Sequence, residues 1–327
     1  MIDLREAQVS RQRPFIGMFM NLSEGDREIS ARREAFLRGI GPIPGLTVAT
    51  CFGAGDFGNY GKKAQELRDL VVDGSGPDLY FTGCWPSLRA LNGVVRDTPI
   101  VFAGMANLRP DPAATDEYGK NVYGFVSYGK NLCGEWVRLL RAVKPAVARA
   151  AVVYDMDRER YNAKWVYEEI LAQAQSLSPK LHATREINCG SATLDADLAS
   201  FVKEADTPAG LIVGVSVLAA AKRQTIIEFA AKHKVPVVYP NRLYTFSGGL
   251  VSKGTYIQGL YHSAGQYARK LLLKEEPPPS PRIDIAQTGL DPSKKAVFET
   301  VINANAAAAI RLEVDPAVLK NADLIID

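Results

Sequence analysis

The stretch AGLIVGVSVLAAAKRQTIIEFAAKHKVPVVYP, residues 209–240, reads as strand, helix, strand. Its two ends, 209–215 and 235–240, are short apolar runs rich in β-branched residues, whereas 217–232 places its apolar side chains at helical spacing. Two strands joined through a helix are parallel neighbours, because a parallel pair needs a crossover and the usual crossover is a helix. Working outward, the same alternation fills the chain. Strand-like runs lie at 14–19, 46–52, 78–83, 99–104, 122–127 and 149–154, and helical periodicity marks 61–72, 86–95, 131–143, 161–176 and 257–273. In DREISARREAFLRGI (26–40), Ile29, Phe36, Leu37 and Ile40 share one face and the arginines the other, and Ser23 of the preceding SEGD is the expected N-cap. The fold class is therefore α/β: parallel sheets covered by helices.

Length and composition bound the function. At 327 residues, 47% hydrophobic and 23% charged, the chain is long enough for two cored domains. A net charge of +3, with no basic stretch interleaved with aromatics, argues against a nucleic-acid partner. No apolar run reaches the ~18–20 residues of a membrane span, so no direct membrane insertion is expected. The opening MIDLREAQVSRQRP lacks the apolar core of a secretory signal, which leaves a processed extracytoplasmic form or a cytoplasmic one. Cys51, Cys84, Cys133 and Cys189 are far apart and contain no C-x-x-C, so neither a zinc site nor a dense disulfide framework is indicated.

Two breaks interrupt the rhythm: NLRPDPAATDEYGKN (107–121), a crossing between two lobes, and the proline-rich KEEPPPSPR (274–282). In open parallel sheets ligands sit outside the carboxyl ends of the strands. Those ends place Asn21, Ser23, Cys84, Trp85 and Asn107 in the first half, and Tyr154, Asp155, Ser216, Asn241, Arg242 and Tyr244 in the second.

Motifs for catalysis are weak. GAGDFG (53–58) satisfies G-x-G-x-x-G but follows the second strand-like run, and the next one, DLYFT, lacks a terminal acid for a ribose; a polar loop is the expectation. GFVSYGKN (124–131) approaches a phosphate loop, yet Asn131 stands where a magnesium-binding hydroxyl belongs and Gly124 falls inside a strand. His182, His233 and His262 show no metal spacing, and GVSVL around Ser216 lacks the second glycine of a nucleophile elbow. No cofactor and no metal are expected.

The C-terminal third carries a resemblance. YPNRLYTFSGGLVSKGTYIQGLYHSAGQYARKLLLKEEPP (239–278) and FETVINANAAAAIRLEVDPAVLKNADLIID (298–327), with TPIVFAG (98–104) and KNVYGFVS (120–127), resemble the ABC-transporter substrate-binding protein family related to tryptophan- and tyrosine-binding proteins. Tyr123 stands where that family usually has Thr, and Lys253 where an aromatic is common. The resemblance implies a venus-flytrap fold of the type I periplasmic-binding kind, with two Rossmann-like lobes, 1–120 plus 257–280 and 121–256 plus 281–327, and a ligand cleft between them. It implies a monomeric, non-enzymatic, extracytoplasmic solute-binding protein that docks on an ABC permease and closes around a small organic ligand, an amino acid or another carboxylate. Arg242 is then expected to pair the carboxylate, and Trp85, Tyr154 and Tyr244 to enclose an apolar part. A cytoplasmic ligand sensor of the same fold, and a nucleotide-dependent α/β enzyme, are the alternatives.

Overall fold

A computed structural model describes residues 13–104, 120–126, 132–157, 160–275, 282–284 and 298–327. The chain divides into two compact units, the first comprising 1–104, 112–126 and 257–291 and the second 105–111, 127–256 and 292–327.

The first unit alternates β1 (Phe15–Met20), α1 (Arg27–Ile40), β2 (Thr47–Phe52), α2 (Tyr60–Asp69), β3 (Leu79–Thr82), α3 (Trp85–Val94), β4 (Ile100–Ala103) and β5 (Val122–Val126). The chain returns to it as α10 (Ile257–Leu272) and β11 (Arg282–Asp284). All pairings are parallel, in the order β11-β5-β4-β3-β1-β2. β1 is buried throughout, as a central strand covered on both faces must be. Alternation along β3 separates the faces: Tyr80 lies beside Gly17 on the side where Leu67 of α2 packs, and Phe81 stacks on Phe36 of α1 and meets Tyr261 of α10 edge-on. The expected division at 120/121 shifts, because β5 and β11 both pair within this sheet. The N-cap of α1 also shifts: Asp26, not Ser23, accepts from the N–H groups of Glu28 and Ile29, at 3.0 and 3.2 Å.

The second unit contains α4 (Leu132–Val143), β6 (Arg149–Tyr154), α5 (Arg160–Ser176), β7 (His182–Asn188), α6 (Leu194–Lys203), β8 (Ala209–Val213), α7 (Val217–Ala221), α8 (Arg223–His233), β9 (Val237–Tyr239), α9 (Arg242–Phe246), β10 (Val251–Thr255), β12 (Phe298–Asn303) and β13 (Leu324–Ile326). Its sheet runs β13-β12-β10-β9-β8-β6-β7, and among the described strands only the β10–β12 pair is antiparallel. Trp136, Leu140, Val152, Ile212 and Val238 form the centre of its core. The strand–helix–strand reading of 209–240 holds, with the helix divided at Lys222 into α7 and α8.

The first five strands of each unit share one order. β2-β1-β3-β4-β5 in the first matches β7-β6-β8-β9-β10 in the second. In each case the chain winds outward first one way and then the other, so the winding reverses beside the first strand. The reversal lies between β1 and β3 in one unit and between β6 and β8 in the other, and at such a reversal the flanking loops part and leave a crevice at the carboxyl ends.

Candidate functional site

Asn21 is the first residue beyond β1, at the reversal point of the first unit. It is 5% exposed. Its carbonyl oxygen accepts from the Tyr60 hydroxyl at 2.7 Å and from the Gly55 N–H at 2.9 Å. Its side-chain Oδ1 is buried without a hydrogen-bond partner among the described residues. Most buried polar atoms are paired, so an orphaned one at a reversal point calls for a reason. Ser23, two residues on, is exposed, and its carbonyl accepts from Asp26.

On the other side of the reversal point, β3 ends at Thr82, and Cys84 precedes α3, whose first turn contains Pro86. The Cys84 sulfur lies 3.0 Å from the Ser87 hydroxyl, which also donates to the Cys84 carbonyl and meets the Thr82 hydroxyl. Trp85 is half-buried, its ring 4.5 Å from that of Phe102. Gly83 is needed here, since a side chain at that position would collide with the Tyr261 hydroxyl. Burial, offset in part by nearby Arg32, raises the pKa of Tyr261, and Arg32 pairs with Glu28 at 3.3 Å. Gln258 donates to both Glu28 oxygens, at 3.0 and 3.1 Å, so a buried polar network ties α1 to α10 behind the site. Asn107 lies outside the described residues.

In the second unit the expected residues divide into three groups. Asp155, directly after β6, and Ser216, after β8, flank the reversal point and are both buried. Asp155 Oδ1 accepts from the Asp157 N–H at 3.1 Å, and Ser216 Oγ accepts from the Ala219 N–H at 3.1 Å. Asn188, at the end of neighbouring β7, was missed by the sequence reading; its Oδ1 accepts from Met156 and Gly190, and its Nδ2 donates to Asp157 at 2.9 Å.

Asn241 and Arg242 follow β9, one strand further on. Asn241 caps α9 by accepting from the Leu243 N–H at 3.1 Å. Arg242 was expected to hold a ligand carboxylate, but the carboxylate it holds is Glu299 of β12. Nε is 2.6 Å from Oε1, and NH2 engages Oε2. The guanidinium also lies over the rings of Phe246 and Tyr256, at 5.5 and 5.2 Å.

Tyr154 and Tyr244, expected to enclose an apolar part of the ligand, are both buried in the second unit. Tyr154 belongs to the hydrophobic cluster of the second unit and donates its hydroxyl to Glu186. Burial first, then that hydrogen bond, raises its pKa. Tyr244 is fully buried and stacks on Tyr239 at 4.9 Å. The chain can fold back this tightly because Gly248 adopts φ +101° and because a side chain at Gly249 would come within 2.6 Å of the Tyr239 ring. The 239–249 segment is therefore mostly scaffold, with Asn241 at its exit from the strand.

Among the described residues no group of His, Cys, Asp and Glu could hold a metal ion, and no disulfide joins the cysteines. No helix described is long and apolar enough to cross a membrane. GAGDFG forms a turn and a short 3-10 segment at Phe57–Asn59; in GFVSYGKN, Gly124 is inside β5 and Lys130 lies outside the described residues.

Comparison with known proteins fits this architecture. The chain is similar to a domain from Streptococcus pneumonia solved in complex with L-Trp (TM-score 0.75, 18% identity, 95% of this chain and 100% of that one). It is similar to a conserved domain protein from Vibrio cholerae (TM-score 0.74, 19% identity, 95% and 99%). It also resembles the ligand-free, open structure of a substrate binding protein with adhesive properties from Clostridium difficile (TM-score 0.61, 19% identity, 96% and 99%). No curated protein matches the chain. At these identities the likeness establishes the fold, the two-lobed α/β architecture of type I periplasmic binding proteins. Residues 54–326 match the family described as ABC transporter substrate binding protein, and the chain belongs to that family.

Proposed function

We propose that the chain is the solute-binding component of an ABC importer, that it carries out no chemistry on its ligand, and that it holds an amino acid at strand tips. The observation that carries this reading is the repeated strand order, with buried polar side chains at the reversal point of each sheet: Asn21 in one, beside buried Cys84, and Asp155 and Ser216 in the other. The Asn21 oxygen and the Asp155 carboxylate are acceptors suited to an ammonium group, and the half-buried Trp85 ring offers an apolar surface. Arg242, committed to Glu299, serves the scaffold. Working as a monomer in the periplasm or another extracytoplasmic space, the protein would pass its solute to a membrane permease.

The test is thermal unfolding against amino acids, aromatic acids, sugars, nucleotides and dinucleotides. A ligand at ~100 times its dissociation constant adds about 2.7 kcal/mol, which raises the melting temperature by about 2 °C or more. A rise confined to amino acids is the expected result. A rise with nucleotides alone would favour a nucleotide-dependent enzyme instead.

A further inference from the structure

The glycine-rich turn GAGDFG (53–58) and Tyr60 have a use that the dinucleotide pattern does not describe. β1 ends at Met20, and a residue just past a strand is ordinarily free to turn. Here the backbone on both sides is fastened to the turn. The Met20 carbonyl accepts from the Gly53 N–H at 2.7 Å, and the Asn21 carbonyl accepts from both Gly55 and Tyr60.

The turn is shaped to deliver those donors. Ala54 and Gly55 adopt left-handed φ values of +52° and +72° in succession. Ala54 has no glycine freedom, and a non-glycine residue is kept in that region only where its surroundings over-determine it. Gly53 lacks a side chain where one would press within 2.6 Å of the Tyr60 ring. The 3-10 segment Phe57–Asn59 then sets Tyr60 at the start of α2, its ring 5.1 Å from Phe19 and 5.2 Å from Phe57. What is held this firmly is the residue whose buried Oδ1 lacks a partner among the described residues.

We infer that Tyr60 and the 53–58 turn are positioning elements for the solute: they fix the Asn21 backbone so that its side-chain oxygen is preset to accept a hydrogen bond from the bound amino acid. This rests on the proposed function, in which Asn21 touches the solute. Preorganisation of this kind raises affinity because the ordering cost is met before binding. Tyr60 itself does not touch the solute; its hydroxyl acts through the Asn21 carbonyl.

A double-mutant cycle with a ligand-free readout tests the inference. Tyr60→Phe keeps the ring and removes only the hydroxyl. Calorimetry with the twenty L-amino acids would be run on the native chain, Tyr60→Phe, Asn21→Ala and the double variant. The side-chain amide signal of Asn21, assigned by its loss in Asn21→Ala, would be followed by 15N NMR without ligand. The expected result is an affinity loss of about tenfold or more in Asn21→Ala, a loss of about three- to tenfold in Tyr60→Phe, and no further loss when Tyr60→Phe is added to Asn21→Ala. In Tyr60→Phe the Asn21 amide signal broadens or splits. Additive losses, or a Tyr60→Phe variant that binds within twofold of the native chain while Asn21→Ala fails, would overturn the positioning role and leave the proposed site intact. Unchanged binding in Asn21→Ala would overturn the role of Asn21 and this inference with it. Should no amino acid bind the native chain, the proposed ligand class fails, and an Asn21 signal unchanged by Tyr60→Phe would overturn the positioning separately.

Discussion

Arg242 and Glu299 show how burial decides what a charge does. Their side chains are 13% and 4% exposed, and each answers the other. Removing the arginine strands a buried carboxylate, so Arg242→Ala should cost about 3 kcal/mol, read as a lower denaturant midpoint. Arg38 pairs with Glu34 on the surface, both more than 60% exposed, and Arg38→Ala should stay within about 0.5 kcal/mol. Equal losses would mean that the Arg242 pair is not energetically buried. Buried tyrosines set a second limit at this scale. Burial raises the hydroxyls of Tyr60, Tyr239 and Tyr261 above their ordinary value of 10, and burial followed by neighbouring Tyr123 pushes Tyr267 up to about 12. The native chain keeps protons that the unfolded chain gives up above pH 10. This contribution is therefore whole below pH 10 and falls as the pH rises through the folded-state values. Ultraviolet titration should show one set of tyrosines ionising near pH 10 and another ionising only as the fold is lost; a single transition near 10 would contradict this.

Sequence legibility at this scale follows from locality. The tips of the strands were readable because each buried run ends in polar residues. The direction of a side chain was not, since Arg242 finds its partner 57 positions away, and Tyr244 turns inward to Tyr239 through a fold-back that Gly248 and Gly249 permit. Tyr60 carried no polar signature, and its role rests on a contact 39 residues back, with Asn21.

At the scale of elements, α1 and α10 pack so closely that Gly39 and Gly265 lie against backbone of the opposite helix: Gly39 against the His262 carbonyl, Gly265 against that of Phe36. Gly to Ala within a helix normally gains about 1 kcal/mol of propensity. The sign should reverse for Gly265→Ala, because a Cβ there forces two backbones apart, with overpacking costs of about 1–3 kcal/mol. Gly93 near the end of α3 has open space around it, and Gly93→Ala should be neutral or stabilising. Thermal melts of the two variants decide this, and a stabilised Gly265→Ala would show that the helices can yield. The same scale explains which elements the sequence revealed. β1 and β6 were legible because strands buried on both faces are continuous apolar runs. β7, HATREIN, is an edge strand with charged side chains and no such run, and β11 and β13 have three residues each. In SEGD the helix takes the nearer cap, Asp26, because only that position reaches the N–H groups of Glu28 and Ile29.

For the whole molecule, the strand order β2-β1-β3-β4-β5, repeated as β7-β6-β8-β9-β10, converts one architectural rule into two sets of candidate residues. Membership of the substrate-binding family makes a small solute the expected occupant. The most direct test is calorimetric affinity for the amino acid giving the largest thermal shift, compared among the native chain, Asn21→Ala and Asp155→Asn. Our account predicts that each variant keeps a cooperative unfolding transition and binds about tenfold or more weakly. Affinity equal to the native chain in both variants would contradict it and move the site away from the reversal points.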